Sequence, residues 1–360
     1  MTGYERMKAT LERKPVDRIS YKVSPWGDTW KRWAEEGHVK IDEDIVDHFD
    51  FDLRESGWFN TTADIDFEQV VLEETEETIL ILDGNGAKLR RHKLHDSTPE
   101  HVDFTVKDRS GWEDIKHFYT GIDKRRYNAA NYSEQKVKAK AEDRFFMWSG
   151  IVQFEIMHGI TGHENMLMGM ALDPDWIKDM VMTLGHMIVN HLEELFAEAG
   201  KPDGFFVYED LGFKQRPFMS PDMYREIMMP GHKLVCDYAH SLGCPVIMHS
   251  CGYVEPLLAG MIESGIDCLQ AMEVKAGMDM PTLYDKFGNQ IAFYGNIDAR
   301  SLEANDKTWI DKELEKVDYV LKNGGSYILH SDHTESPMVD YQTECYFLER
   351  GLEISKKYHG

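Results

Sequence analysis

Residues Gly243–Met272 read GCPVIMHSCGYVEPLLAGMIESGIDCLQAM. A short apolar run, Pro245–His249, is followed by an amphipathic stretch over Val254–Glu263, and after Gly265 a second apolar run covers Cys268–Met272. Short continuous apolar runs suit strands buried on both faces, the longer periodic stretch suits a helix, and glycine past a helix end is the expected stop. A strand, a helix and a strand in so short a span make a parallel pair with a right-handed crossover.

The same unit repeats on both sides. Strand-like runs occur at Phe145–Phe154, Gly204–Tyr208, Ile291–Tyr294 and Ser326–Leu329, with amphipathic stretches at Pro174–Ala199, Pro221–Leu242 and Trp309–Lys322. Gly200, Gly243 and Gly324 stand where helices should stop. Upstream, a helix over Tyr4–Arg13 precedes a strand-like Arg18–Val23, which Pro25-Trp26-Gly27 breaks. With one further strand that has no clear signature, the set predicts an α/β fold, a closed (β/α)8 TIM barrel with an N-terminal extension. A chain of 360 residues holds one decorated barrel of roughly 250 residues without a linker. The competing open, doubly wound sheet would carry Gly-x-Gly-x-x-Gly after its first strand, and none is there.

The expected organisation is therefore a single barrel domain over 1–360, interrupted at about 70–107. In that stretch Glu76–Leu82, the turn Asp83-Gly84-Asn85-Gly86 and Ala87–His92 read as a hairpin, an insertion expected to cover one mouth of the barrel. Lys124–Asp143 is polar and reads as a surface helix.

The net charge is −24. A field of that sign repels phosphate backbones and anionic lipid, so neither nucleic acid nor a membrane is expected as a partner, and a polyanionic substrate is disfavoured. No apolar run approaches the ~20 residues of a membrane span, and Met1-Thr2-Gly3-Tyr4-Glu5-Arg6 shows no apolar signal region, which predicts a soluble, cytoplasmic protein. The five cysteines, Cys236, Cys244, Cys251, Cys268 and Cys345, are an odd set crowded into the last third of the chain. They read as reduced thiols, most of them small buried apolar residues.

Barrel enzymes place their chemistry on the loops after the strands, and polar residues gather there: Tyr208-Glu209-Asp210, His249-Ser250-Cys251-Gly252, Gln270 and Glu273, Gly295-Asn296-Ile297-Asp298 and His330-Ser331-Asp332-His333. His249 and Cys251 are two apart on a strand and face the same way, so imidazole and thiol can converge on one ion such as zinc. The competing account is a hydrogen-bonded barrel histidine and a small filler cysteine. Either His330 or His333 is a source of a third ligand, with Asp332 orienting it; the alternative there is a polar turn capped by Asp332. In Glu209-Asp210 one carboxylate could ligate metal or accept a proton, the alternative being bonds to backbone amides or to Arg216. Met147, Trp148, Met157, Met166, Met168 and Met170 give an apolar wall suited to a flat ligand, or simply to a core.

These motifs resemble the uroporphyrinogen decarboxylase-like superfamily. The resemblance lies in Tyr4-Glu5-Arg6-Met7 through Arg18-Ile19, in Glu209-Asp210, in Ser220-Pro221-Asp222-Met223-Tyr224 and Pro230, and in His249-Ser250-Cys251-Gly252, Gly295-Asn296-Ile297-Asp298 and Gly324-Gly325 with Ser331-Asp332-His333. It spans nearly the whole chain in order. The arginine-rich segment that grips substrate carboxylates in the decarboxylases has Val23-Ser24-Pro25-Trp26-Gly27-Asp28-Thr29-Trp30 in its place, without arginine. An octa-anionic porphyrinogen needs guanidinium forks, so its decarboxylation is disfavoured.

The His-x-Cys pair is similar to the zinc motif of the corrinoid-dependent methyltransferases in the same superfamily, where a late cysteine completes the set. Here His333 stands at that late position, and Cys345 lies beyond it. The resemblance implies Zn2+ on His249, Cys251 and His333, with His330 or Glu209 as alternative third ligands, and Glu209, Asp210 and Asp332 as acid/base groups. It also implies methyl transfer between a small substrate and the cobalt of a corrinoid (cobalamin). The chain has no Asp-x-His-x-x-Gly motif, so that cofactor is expected on a separate corrinoid protein. Trp26, Trp148, Tyr208, Asn296 and His330 are expected to contact substrate, and the aromatic ones favour an aromatic methyl ether. The rival expectations are a thiol or pterin methyltransferase, a decarboxylase of a smaller acid, and a non-catalytic ligand-binding barrel. A homodimer is compatible with the resemblance.

Overall fold

Strand side chains alternate between two interiors, and that alternation positions the site. The computed structural model describes residues 1–95 and 98–359. In chain order the strands are β1 (Ser20–Tyr21), β2 (Leu53–Ser56), β3 (Val70–Glu74), β4 (Thr78–Leu82), β5 (Ala87–His92), β6 (Glu100–Phe104), β7 (Phe145–Ile151), β8 (Gly204–Tyr208), β9 (Val246–Ser250), β10 (Cys268–Ala271), β11 (Ala292–Gly295) and β12 (Tyr327–Leu329). Eight of them form a curled parallel sheet in the order β1-β12-β11-β10-β9-β8-β7-β2, with helices packed outside, a TIM-barrel-like α/β fold. The strand without a sequence signature is β2; Arg54 and Glu55 in its middle disguise it.

Inside the curl, Leu53, Phe145, Met147, Phe206, Ile247, Cys268, Ala292, Tyr294 and Ile328 form one cluster, plugged by Met7 and Leu11 of the helix Gly3–Leu11. Their sequence neighbours Phe146, Trp148, Phe205, Val207, Met248, Leu269, Phe293, Tyr327 and Leu329 point outward into the larger core beneath the helices. Burying each of the larger aliphatic and phenylalanine side chains among them stabilises the fold by about 1.5–3 kcal/mol. Met147, Met157, Met166 and Met170 belong to these cores, while Met168 is exposed.

Among the described residues no backbone ladder joins β1 to β2. Side chains bridge that seam instead: Arg6 and Arg18 both bond Asp52, Arg6 also reaches Asp17 at 2.7 Å, and Lys22 pairs with Glu55. The Tyr21 hydroxyl adds a bond to the Phe49 carbonyl at 2.8 Å.

The expected hairpin is the β4–β5 half of a four-stranded antiparallel sheet, β3-β4-β5-β6. The expectation missed β3 and β6 because their side chains are largely solvated and carry little apolar alternation. This sheet leans on the helix Gln153–Leu172, which bends at Gly162 (φ 72°). A Cβ there would stand 2.2 Å from Phe104 of β6, so glycine lets sheet and helix meet. The expected strand Phe145–Phe154 ends at Ile151, because Gln153 already begins that helix. The Pro221–Leu242 stretch is helical but contains a π turn over Tyr224–Met228. No helix among the described residues is long and apolar enough to cross a membrane.

Candidate metal centre

The last inward-facing residues of successive strands meet in one layer. By alternation these are Lys22 after β1, Glu55 on β2, Tyr208 on β8, His249 on β9, Gln270 on β10, Tyr294 on β11 and His330 after β12. Most of them line a cavity of about 280 Å³, together with Trp26, Phe206, Asp210, Cys251, Asp332 and His333.

On β9 His249 faces inward, Ser250 faces out, and Cys251 faces inward again. Cys251 Sγ lies 3.2 Å from His249 Nε2. Asp210 Oδ1 is also 3.2 Å from Nε2 and accepts the Cys251 amide at 2.8 Å. One ligand atom from each of Asp210, His249 and Cys251 lies within 4.8 Å of the others, and all three residues are half-buried. The loops after β8 and β9 bring them together by touching at two glycines. A Cβ on Gly252 (φ 76°) would stand 2.2 Å from the Gly212 backbone. Beside them the Ser250 hydroxyl accepts the Leu211 amide at 3.0 Å, and Tyr253 N bonds the Phe213 carbonyl at 2.9 Å.

Gln270 is paired with His249 across the β9–β10 ladder, and its Oε1 bonds His249 Nδ1. A carbonyl oxygen only accepts, so Nδ1 carries a hydrogen and Nε2 is the nitrogen that faces Cys251 and Asp210, where on losing its proton it offers a lone pair to a metal. Burial disfavours the charged form of His249, but the adjoining Cys251 and Asp210 outweigh it and hold its pKa well above the usual value. Burial likewise opposes ionisation of Asp210, and the bond to His249 reverses the balance, leaving that carboxyl below its usual range. Nitrogen, sulfur and carboxylate oxygen converging from three residues, with a cavity on the remaining side, is a donor set that fits zinc with one open position.

His333, expected as the third ligand, lines the same cavity, and the nearby Cys251 raises its pKa. The group that closes the three-residue cluster is Asp210, expected instead as an acid/base residue. The other two alternatives for third ligand are occupied elsewhere. His330 donates from Nδ1 to the Ser331 carbonyl and accepts the Ser24 hydroxyl at Nε2 (3.1 Å), and burial holds it neutral, with its pKa lowered to about 3. Glu209 faces outward by alternation, away from the cavity. Its oxygens accept the amides of Phe154 (2.8 Å) and Glu155 (2.9 Å) at a helix N-terminus and a bond from His232 Nε2 (2.7 Å). Burial raises the Glu209 pKa against these bonds. Tyr224 donates to the far side of His232 at 2.9 Å, so the group is a buried clamp between elements.

Asp332 lines the cavity and accepts the amides of Val274 (2.7 Å) and Ala299 (2.9 Å). Burial lifts its pKa to about 6. Of the residues expected to contact substrate, Trp26, Tyr208 and His330 line the cavity. Trp148 does not: it faces outward from β7, fully buried, and donates to the Gly57 carbonyl at 2.8 Å. Asn296 does not either. It is buried in a left-handed turn (φ 64°), where it bonds Met280 N at 3.0 Å and the Met272 and Met278 carbonyls. Lys22, Phe206 and Tyr294 line the cavity without having been singled out, and Gln270, noted only as a polar strand end, joins them. Inward parity at the strand ends was the signal that finds them.

Fold and site together define an α/β barrel with a candidate metal centre at the C-terminal ends of its strands. The chain matches uroporphyrinogen decarboxylase (URO-D) over residues 152–349, more than half its length, and belongs to that family. It is also similar to methylated-thiol–coenzyme M methyltransferase of Methanosarcina mazei, 27% identical over 159 residues that make up 42% of this chain. The match spans only 38% of that relative. A solved methyltransferase from Methanosarcina mazei shares the fold, with a TM-score of 0.69 and 15% identity over 98% of this chain and 99% of that one.

Proposed function

We propose that this chain is a zinc-assisted methyltransferase that moves a methyl group from an aromatic methyl ether to the cobalt of a corrinoid held by a separate protein. The observation that carries the proposal is the convergence of Asp210, His249 and Cys251 at the rim of a cavity walled by Trp26, Phe206, Tyr208 and Tyr294. Zinc, held by those three residues, would supply Lewis acidity to the substrate's heteroatom. Gln270 fixes the His249 tautomer, and the aromatic walls hold a planar ring. Asp332, with its pKa near 6, is placed to deliver a proton to the phenolate oxygen released when the ether C–O bond breaks. A second reading, methyl transfer involving a thiol, has the name of the Methanosarcina mazei relative in its favour and uses the same three residues.

Elemental analysis tests the metal first. Wild type is expected to hold about one zinc per chain, as a three-ligand catalytic site does, and the His249→Ala/Cys251→Ala variant none. Asp210→Ala and His333→Ala, compared side by side, identify the third ligand. A wild type that stays metal-free after zinc reconstitution would sink the Lewis-acid role. Methyl-transfer assays with a corrinoid protein, offering methoxyarenes and thiols in parallel, then separate the two substrate readings.

A further inference from the structure

Lys22 is the one lysine or arginine lining the cavity among the described residues. It follows β1, its backbone N–H bonds the Leu329 carbonyl at 3.1 Å, and its side chain turns inward. In the strand order β1 stands four places from β9 in one direction and, across the seam, four in the other. The ammonium therefore enters from the wall opposite His249. Glu55 Oε1 takes one of its N–H groups, and the other Glu55 oxygen is fixed by the Tyr208 hydroxyl at 3.3 Å. The Phe206 ring centre lies 5.5 Å from Nζ. Phe206 stacks on Tyr208 at 4.7 Å, and the Tyr208 ring is 5.2 Å from that of His249. A row of two aromatic rings thus links the cation to the metal cluster.

An ammonium has three N–H donors, and Glu55 occupies one of them. Glu55 also holds the flexible lysine stem in place, so the remaining donors are pre-positioned towards the cavity. In a chain of net charge −24, the wall of this cavity opposite the metal cluster and its histidines offers an anion one cationic side chain among the described residues, Lys22.

We infer that Lys22 anchors a single anionic group on the substrate, which makes the preferred substrate a one-ring methyl ether bearing a carboxylate remote from the methoxy group. This rests on the methyl-ether reading of the same site. The ring lies along Phe206 and Tyr208, its carboxylate on Lys22 and its ether oxygen towards His249. Glu55 and Tyr208 act as positioning residues for the lysine.

The test is titration calorimetry with a matched pair that needs no turnover, 4-hydroxybenzoate and 4-hydroxybenzamide, run with and without added zinc. Wild type is expected to bind the carboxylate about tenfold more tightly than the amide, as a charge-assisted hydrogen bond gives. That preference should fall below about twofold in Lys22→Met and Lys22→Gln and return in Lys22→Arg, since only the charge-bearing side chains pair with a carboxylate. Lys22→Gln keeps a donor for Glu55, and so guards against a folding failure in the methionine variant. Equal affinities in wild type, or a preference that survives in folded Lys22→Gln, would overturn the inference. A parallel pair, 3-mercaptopropionate and its amide, separates the two failures. If no aromatic binds but the mercapto acid shows the same Lys22-dependent preference, the ether reading fails and the anion anchor stands. If neither pair discriminates, the anchor itself is refuted.

Discussion

Gln270→Leu removes the acceptor that orients His249 while leaving all three ligand residues in place. In the native arrangement Gln270 Oε1 holds Nδ1–H, so Nε2 is the nitrogen aimed at the space beside Cys251 Sγ and Asp210 Oδ1, each 3.2 Å away, and the one that gives up its proton to a metal. Leucine has a comparable reach but no oxygen, so the ring is free to rotate and to take the other tautomer. Loss of such an orienting partner typically costs about 10–100-fold in metal affinity, or about 1.4–2.8 kcal/mol. The assay is zinc affinity by competition with a chromophoric chelator, alongside a thermal melt to show that the variant folds. Gln270→Glu provides the contrast: a carboxylate accepts the same hydrogen and increases the basicity of Nε2, so its affinity should match or exceed wild type. Metal uptake must displace the proton that His249 holds above its usual pKa, so affinity in wild type should rise with pH. A folded Gln270→Leu protein that binds zinc within about twofold of wild type would refute the orientation argument, because it would mean the tautomer is set elsewhere.

Two further outcomes separate structure from chemistry. Glu209→Ala strands two buried amides and the His232 imidazole; it should cost about 3 kcal/mol or more of stability in urea unfolding while the zinc content stays as in wild type. A stable variant that lost zinc would instead place Glu209 at the metal. The second concerns pH. His330 is neutral in the folded state, with a pKa of about 3, against roughly 6.5 in an unfolded chain. The unfolded chain therefore binds the extra proton first, so the stability His330 gives is complete above its unfolded pKa and is lost as pH falls towards the folded one. The stability gap between wild type and His330→Gln, measured by denaturant midpoints across the acid range, should narrow on acidification. A gap that is constant or widens would show that His330 is not held neutral.

Several features were legible in residues alone because they are local. Alternation along a strand fixed the shared face of His249 and Cys251, and the glycine stops at 200, 243, 265 and 324 marked the βα repeat. The same alternation, applied to β8, separates Glu209 from Asp210 and turns Trp148 outward on β7. Polar or aromatic character groups Glu209 and Trp148 with the strand-end residues, whereas parity directs both away from the cavity, where they bond Phe154, Glu155 and His232, and Gly57. The strand β2 escaped because its core-facing and solvent-facing signals are overwritten by Arg54 and Glu55, whose partners Asp44, Asp47 and Lys22 are distant along the chain or belong to other elements.

The barrel class, most of the βα repeat and the strand-end position of the polar residues are readable from the residues alone, since hydrophobic periodicity and helix stops act over a few residues. Which of those residues meet depends on how the elements pack. Asp210 joins His249 and Cys251 because two loops, about forty residues apart in sequence, pack backbone to backbone at Gly212 and Gly252. Lys22 faces the same cavity because closure of the sheet sets the first strand opposite β9. Asn296 has the polarity of a site residue, yet a left-handed turn commits all its bonds to backbone. Such convergence depends on loop contact and sheet closure, which are three-dimensional and leave no periodic trace in the chain.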